Sequence, residues 1–69
     1  MTDAQKERIK EAMEAYLYYE QHGISQYKST HIQSVGKVRK ELGMTVSVCK
    51  GCLGEIHEYM KVIYELYKS

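Results

Sequence analysis

Residues 35–54 read VGKVRKELGMTVSVCKGCLG, and two different structures can be drawn from them. In one, two helices meet at Gly43, with Val35, Val38 and Leu42 at helical steps before it and Cys49, Cys52 and Leu53 on a stripe after it. In the other, Cys49-Lys50-Gly51-Cys52 is a C-x2-C motif, a spacing used for metal binding and thiol redox chemistry. The flanking sequence favours the helical corner.

On the N-terminal side, Thr2 and Gln5 have capping-box spacing, and Ile9, Ala12, Met13, Tyr16 and Leu17 fall on one helical stripe. Lys6, Glu7, Lys10, Glu11 and Glu14 occupy the solvated side, and Gly23 suits the residue after the helix end. A first helix is predicted over 3–21. Residues 23–30, GISQYKST, carry no stripe and read as a loop. Thr30 and Gln33 again have capping spacing, and Ile32, Val35, Val38 and Leu42 predict a second helix over 31–42, closed by Gly43. Gly36 inside it costs about 1 kcal/mol relative to alanine, which points to close packing or to a weaker helix. A stripe of Cys49, Cys52, Leu53, Ile56, Met60, Ile63 and Tyr67 predicts a third helix over 46–67, capped by Thr45 or Ser47. The fold class is thus all-α, one small three-helix domain over 1–69 with a long C-terminal helix. Such a helix spans about 30 Å, longer than a domain of this size requires, so its distal part is expected to pack on a partner.

With Gly43 at the turn, Val38, Leu42, Met44, Cys49 and Cys52 take the positions a helical corner buries, cysteine counting as a small hydrophobe. In this respect the segment resembles the helix-turn-helix DNA-binding superfamily, over about 20 of the 69 residues. The resemblance implies that Thr45, Val46, Ser47, Lys50, Gly51 and Gly54 face a major groove. Only Lys50 among them has a long donor, and the two glycines have no side chain, so base-specific readout would be thin. Arg39 and Lys40 on the preceding helix suit backbone phosphates.

Charge distribution is compatible with that reading. The chain is net +1, yet residues 26–50 hold Lys28, Lys37, Arg39, Lys40 and Lys50 against Glu41 alone, and both ends are acidic. No apolar run approaches the roughly 18 residues that cross a bilayer, and the charged N-terminus lacks signal-peptide character. Two cysteines are too few for a disulfide scaffold, so a reducing, cytoplasmic setting is expected.

A single C-x2-C supplies half of a zinc site, and only His22, His31 or His57 could complete it. Packing of both thiols at i,i+3 in the corner accounts for the spacing without an ion, so no metal and no cofactor are expected. A thioredoxin-like redox role requires a βαβ setting that is missing here. His22 suits a helix C-terminus, and His57 is expected beside Lys61 on a solvated face. No nucleophile, base and acid set or phosphate-binding glycine loop is present, so neither catalysis nor a small-molecule substrate is expected.

Seven tyrosines supply all of the aromatic content. Tyr18, Tyr19, Tyr59, Tyr64 and Tyr67 cannot all share the core stripes, which makes them candidate contacts for a homodimer or another protein. Two functions follow. One is a weakly specific DNA-binding module using Arg39, Lys40, Thr45, Ser47 and Lys50. The other is a protein-interaction or structural accessory protein, of a kind phages encode, docking through the tyrosines and the last helix.

Overall fold

The first helix, α1 (Asp3–His22), begins where its capping box predicts. Thr2 Oγ1 accepts the Gln5 N–H at 3.2 Å, and Gln5 Oε1 accepts the Thr2 N–H at 2.9 Å. It ends at Gly23, whose φ of 69° is the left-handed conformation glycine adopts without a Cβ penalty. In this computed structural model, which describes residues 1–49 and 51–69, two further helices follow, α2 (Ser29–Glu41) and α3 (Leu53–Tyr67), and no strand occurs among the described residues.

The start of α2 lies two residues ahead of the Thr30/Gln33 expectation because a different side chain caps it. His31 Nδ1 accepts the Lys28 N–H at 3.2 Å, which requires that nitrogen to be unprotonated. Its C-terminus is a Schellman closure. With Gly43 at φ 75°, the Gly43 N–H reaches the Lys40 carbonyl at 3.1 Å and the Met44 N–H reaches the Arg39 carbonyl at 2.8 Å.

The third helix differs most from expectation. It starts at Leu53 and not at residue 46, so at 15 residues it is about 22 Å long and has no surplus length to offer a partner in a body measuring 29 × 22 × 18 Å. Two causes act together. Thr45, Val46 and Val48 are β-branched and poor helix formers, and extending the helix back through Gly51 would cost about 1 kcal/mol more. In addition, the carbonyls of Thr45 and Val46, which a helix would use for its first turn, are taken by Arg39 Nε at 2.7 Å and the Tyr59 hydroxyl at 3.4 Å.

Ile9, Ala12, Met13 and Tyr16 from α1, Val35 and Val38 from α2, and Ile56, Tyr59, Met60 and Ile63 from α3 form the core. Each fully buried Ile, Val or Met contributes roughly 1.5–3 kcal/mol. Gly36 belongs to this packing, since a Cβ there would lie 3.1 Å from the Tyr59 hydroxyl. Close approach therefore explains the glycine. On the rim, Gln5 Nε2 and the Arg8 guanidinium converge on the Glu41 carboxylate, at 2.8 Å for Gln5 and 2.7 and 3.1 Å for Arg8, tying α1 to the end of α2.

Several expected core positions are not core. Leu17, Leu42, Cys49 and Cys52 are exposed, and Met44 is only half-buried. The thiols leave the interior because residues 44–49, expected to lead into a helix from residue 46, run instead as an irregular strap, and α3 begins only at Leu53.

Candidate functional site

The strap over residues 44–49 and the neighbouring face of α3 are held together by one buried guanidinium. Arg39 is 8% exposed. Its Nε donates to the Thr45 carbonyl, its Nη1 donates to the Tyr59 carbonyl at 3.2 Å, and its Cζ lies 4.2 Å above the Tyr59 ring. The fork thus spans α2, the strap and α3, using Arg39 as an internal brace.

Beside this brace lies an open groove of about 430 Å³, lined by Arg39, Ser47, Val48, Gly54, Glu55, Glu58, Tyr59 and Val62. Its floor is apolar and its α3 rim is acidic. Val62, 43% exposed, belongs to this lining; Leu66 is exposed one turn further along α3, and Val46 is 46% exposed on the strap.

This arrangement brings three of the residues proposed for DNA contact together, Arg39 through its bond to the Thr45 carbonyl and Ser47 through the shared groove, but not on the face of a helix. Arg39 is sequestered and cannot reach a phosphate. Lys40 is exposed on α2, and Thr45 and Ser47 are exposed on the strap, where they lie on no helix that could enter a groove. Lys50 lies outside the described residues.

The tyrosines are used largely inside the molecule. Tyr59 is 6% exposed, so all it offers a partner is the edge it contributes to the groove lining. Tyr64 stacks on Tyr16 with centroids 4.9 Å apart and faces Tyr67 at 6.4 Å, Tyr19 faces Tyr27 at 6.3 Å, and Tyr18 packs on His22 at 4.5 Å. Tyr18, Tyr19, Tyr64 and Tyr67 keep only part of their surface in solvent.

At the same end of the bundle is a network the sequence did not reveal. His57 stacks on Tyr16 at 4.9 Å and tilts against Tyr19 at 4.5 Å, so it is packed and not solvated beside Lys61. Its Nε2 lies 2.8 Å from Glu20, and its Nδ1 lies 3.2 Å from the Tyr27 hydroxyl. Tyr16 donates to the same Glu20 carboxylate oxygen at 3.1 Å. Hydrogen bonds from His57 and then Tyr16 hold Glu20 below the usual carboxylate range, while burial, followed by the bond to Glu20, pushes Tyr16 up to about 12. Burial also pushes Tyr27 up. Both phenols stay protonated near neutrality; Tyr16 donates to Glu20 and Tyr27 pairs with His57, so the network pins the 23–28 loop and α1 to α3. Only its tertiary geometry identifies it, because Glu20, Tyr27 and His57 are separated by 7 and 30 residues with no motif spacing.

Cys49 and Cys52 are free and exposed at the far end of the strap. The Cys52 N–H bonds to the Cys49 carbonyl at 3.1 Å, a turn that brings the two side chains together, and the Cys49 N–H donates to Glu55 Oε2 at 3.3 Å. The two sulfurs and a Glu55 carboxylate oxygen all lie within 4.8 Å of one another. Hydrogen bonding to Cys49 pushes the Cys52 thiol up, although Cys52 sits at the α3 N-cap, where a helix dipole alone would lower it. The sequence carries a C-x2-C-x2-E spacing, of which the expected packing of two thiols in a helical corner accounts for the cysteines alone.

Comparisons with protein-family models, with characterised proteins and with solved structures find no match to this chain. Among the described residues, no helix is long and apolar enough to cross a membrane.

Proposed function

We propose that the chain is a small non-enzymatic protein-docking module whose contact surface is the groove between the strap and α3. The observation that carries this reading is the acidic-rimmed groove with Val62 exposed in its lining, neighboured in sequence by exposed Val46, beside Ser47 on the strap, and by exposed Leu66, one turn along α3. Glu55 and Glu58 on the rim select a partner segment that pairs apolar side chains with lysine or arginine. The same carboxylates disfavour a phosphate backbone next to Ser47 and Thr45, and with Arg39 occupied the DNA reading keeps only Lys40 among its described long-chain donors.

The test is selection from a displayed peptide library on the immobilised domain, followed by affinity measurement. Enrichment of basic, apolar segments whose binding falls at least tenfold with Val62→Asp, at unchanged helicity, is the expected result. Duplex DNA binding that weakens steeply with salt and is lost on Lys37→Ala with Lys40→Ala, while Val62→Asp has no effect, would contradict it.

A further inference from the structure

The geometry points to a zinc site at the end of the strap, with Cys49, Cys52 and Glu55 as three ligands and a water completing the tetrahedron. Three observations meet there. The i,i+3 turn at Cys49 and Cys52 fixes both thiols on one side of the chain, and the first turn of α3 presents Glu55 to the same point, with its carboxylate already oriented by the Cys49 N–H. The three ligand atoms lie within 4.8 Å of one another. Tetrahedral zinc, with bonds of about 2.3 Å to sulfur and about 2.1 Å to oxygen, sets ligand separations of about 3.8 and 3.6 Å. Closing the difference takes side-chain rotation of about 1 Å, which exposed residues at a surface accomplish without repacking the core.

The donor set selects the ion. Two thiolates discriminate against calcium and magnesium, which take oxygen ligands, and two cysteines are too few to hold an iron–sulfur cluster. Zinc accepts the mixture of sulfur and carboxylate. Binding replaces the two thiol protons: one zinc ion takes up two thiolates and one carboxylate, and two protons leave to solvent. Four protein ligands would close the site; three leave one position open.

The experiment is titration of the reduced, metal-free chain with zinc and with cobalt, read by native mass spectrometry, thiolate-to-cobalt charge-transfer absorption and proton release. One ion per chain, tetrahedral cobalt spectra and release of about two protons at neutral pH are expected. Cys49→Ser and Cys52→Ser should each weaken binding by more than the 10–100-fold that loss of an outer-shell partner costs, and Glu55→Gln should weaken it about tenfold. All three positions are exposed, so far-ultraviolet circular dichroism should show intact helices in each variant. Absence of binding at excess zinc, binding indifferent to either cysteine, or half an ion per chain with no dependence on Glu55 would overturn the assignment.

Discussion

Arg39→Ala separates a brace from a phosphate contact. As an exposed contact the residue would contribute nothing to folding, and its removal would change stability by no more than about 0.5 kcal/mol. In the observed position it donates to two carbonyls and covers an aromatic ring. The Thr45 carbonyl lies on an exposed residue and regains water on truncation, so that bond contributes about 1 kcal/mol. The Tyr59 carbonyl belongs to a buried residue and is left without its charged donor, at a cost of about 1.5 kcal/mol. Loss of the guanidinium over the Tyr59 ring adds about 1 kcal/mol. The expected sum of about 3.5 kcal/mol is comparable with the roughly 3.5–10 kcal/mol available to a chain of this length. Arg39→Lys keeps the charge but not the fork, and should cost about half as much. Urea denaturation followed by circular dichroism measures both, and the slope reports any loss of compaction in the native state. A change below about 1 kcal/mol for Arg39→Ala at an unchanged slope would refute the brace.

Gly36→Ala should be close to neutral in the wild-type chain, because about 1 kcal/mol of helix propensity opposes a Cβ placed 3.1 Å from the Tyr59 hydroxyl; in a Tyr59→Phe background the same change should stabilise, and a double-mutant cycle in chemical denaturation reads the difference. Cys52→Ser, measured without metal, should stabilise by about 1 kcal/mol, since serine at the α3 N-cap creates a capping box with Glu55; destabilisation would mean the thiol is packed after all. Glu41 is lowered to about 2 from its ordinary 4.5, first by Arg8 and then by Gln5, so its contribution is complete above pH 4.5 and is lost as pH falls towards 2. Glu41→Gln should flatten that part of the acid-unfolding curve, and added salt should reduce the wild-type slope.

Much of the fold was legible because its signals are local. The Thr2/Gln5 box, Gly23 and the Ile9 to Tyr16 stripe specify α1 almost to the residue, and the Val35/Val38 and Ile56/Met60/Ile63 stripes place the core of the other helices. What failed was the stretch where apolar spacing continued but the backbone did not. Cys49 and Cys52 extend the α3 stripe on paper, yet β-branched residues and Gly51 make the helix weak there, and Arg39 and Tyr59 claim the carbonyls it needs. No sequence period encodes that competition, because its decisive contacts join residues 6, 13 and 20 positions apart. The same cause misplaced the candidate contacts. A basic residue on α2 reads as surface until its partners are known, and tyrosines beyond the core stripes read as an interface until they are seen stacking on one another.

Backbone carbon chemical shifts of residues 44–49, compared with those from Leu53 onward, test the strap most directly. Irregular or extended values through Cys49, a helical run beginning at Leu53, and a shift towards random coil over 44–48 in Arg39→Ala are the predicted result. Continuous helical shifts from Val46 would contradict it, returning Thr45 and Ser47 to the start of a helix and the thiols to the interior of a helical corner.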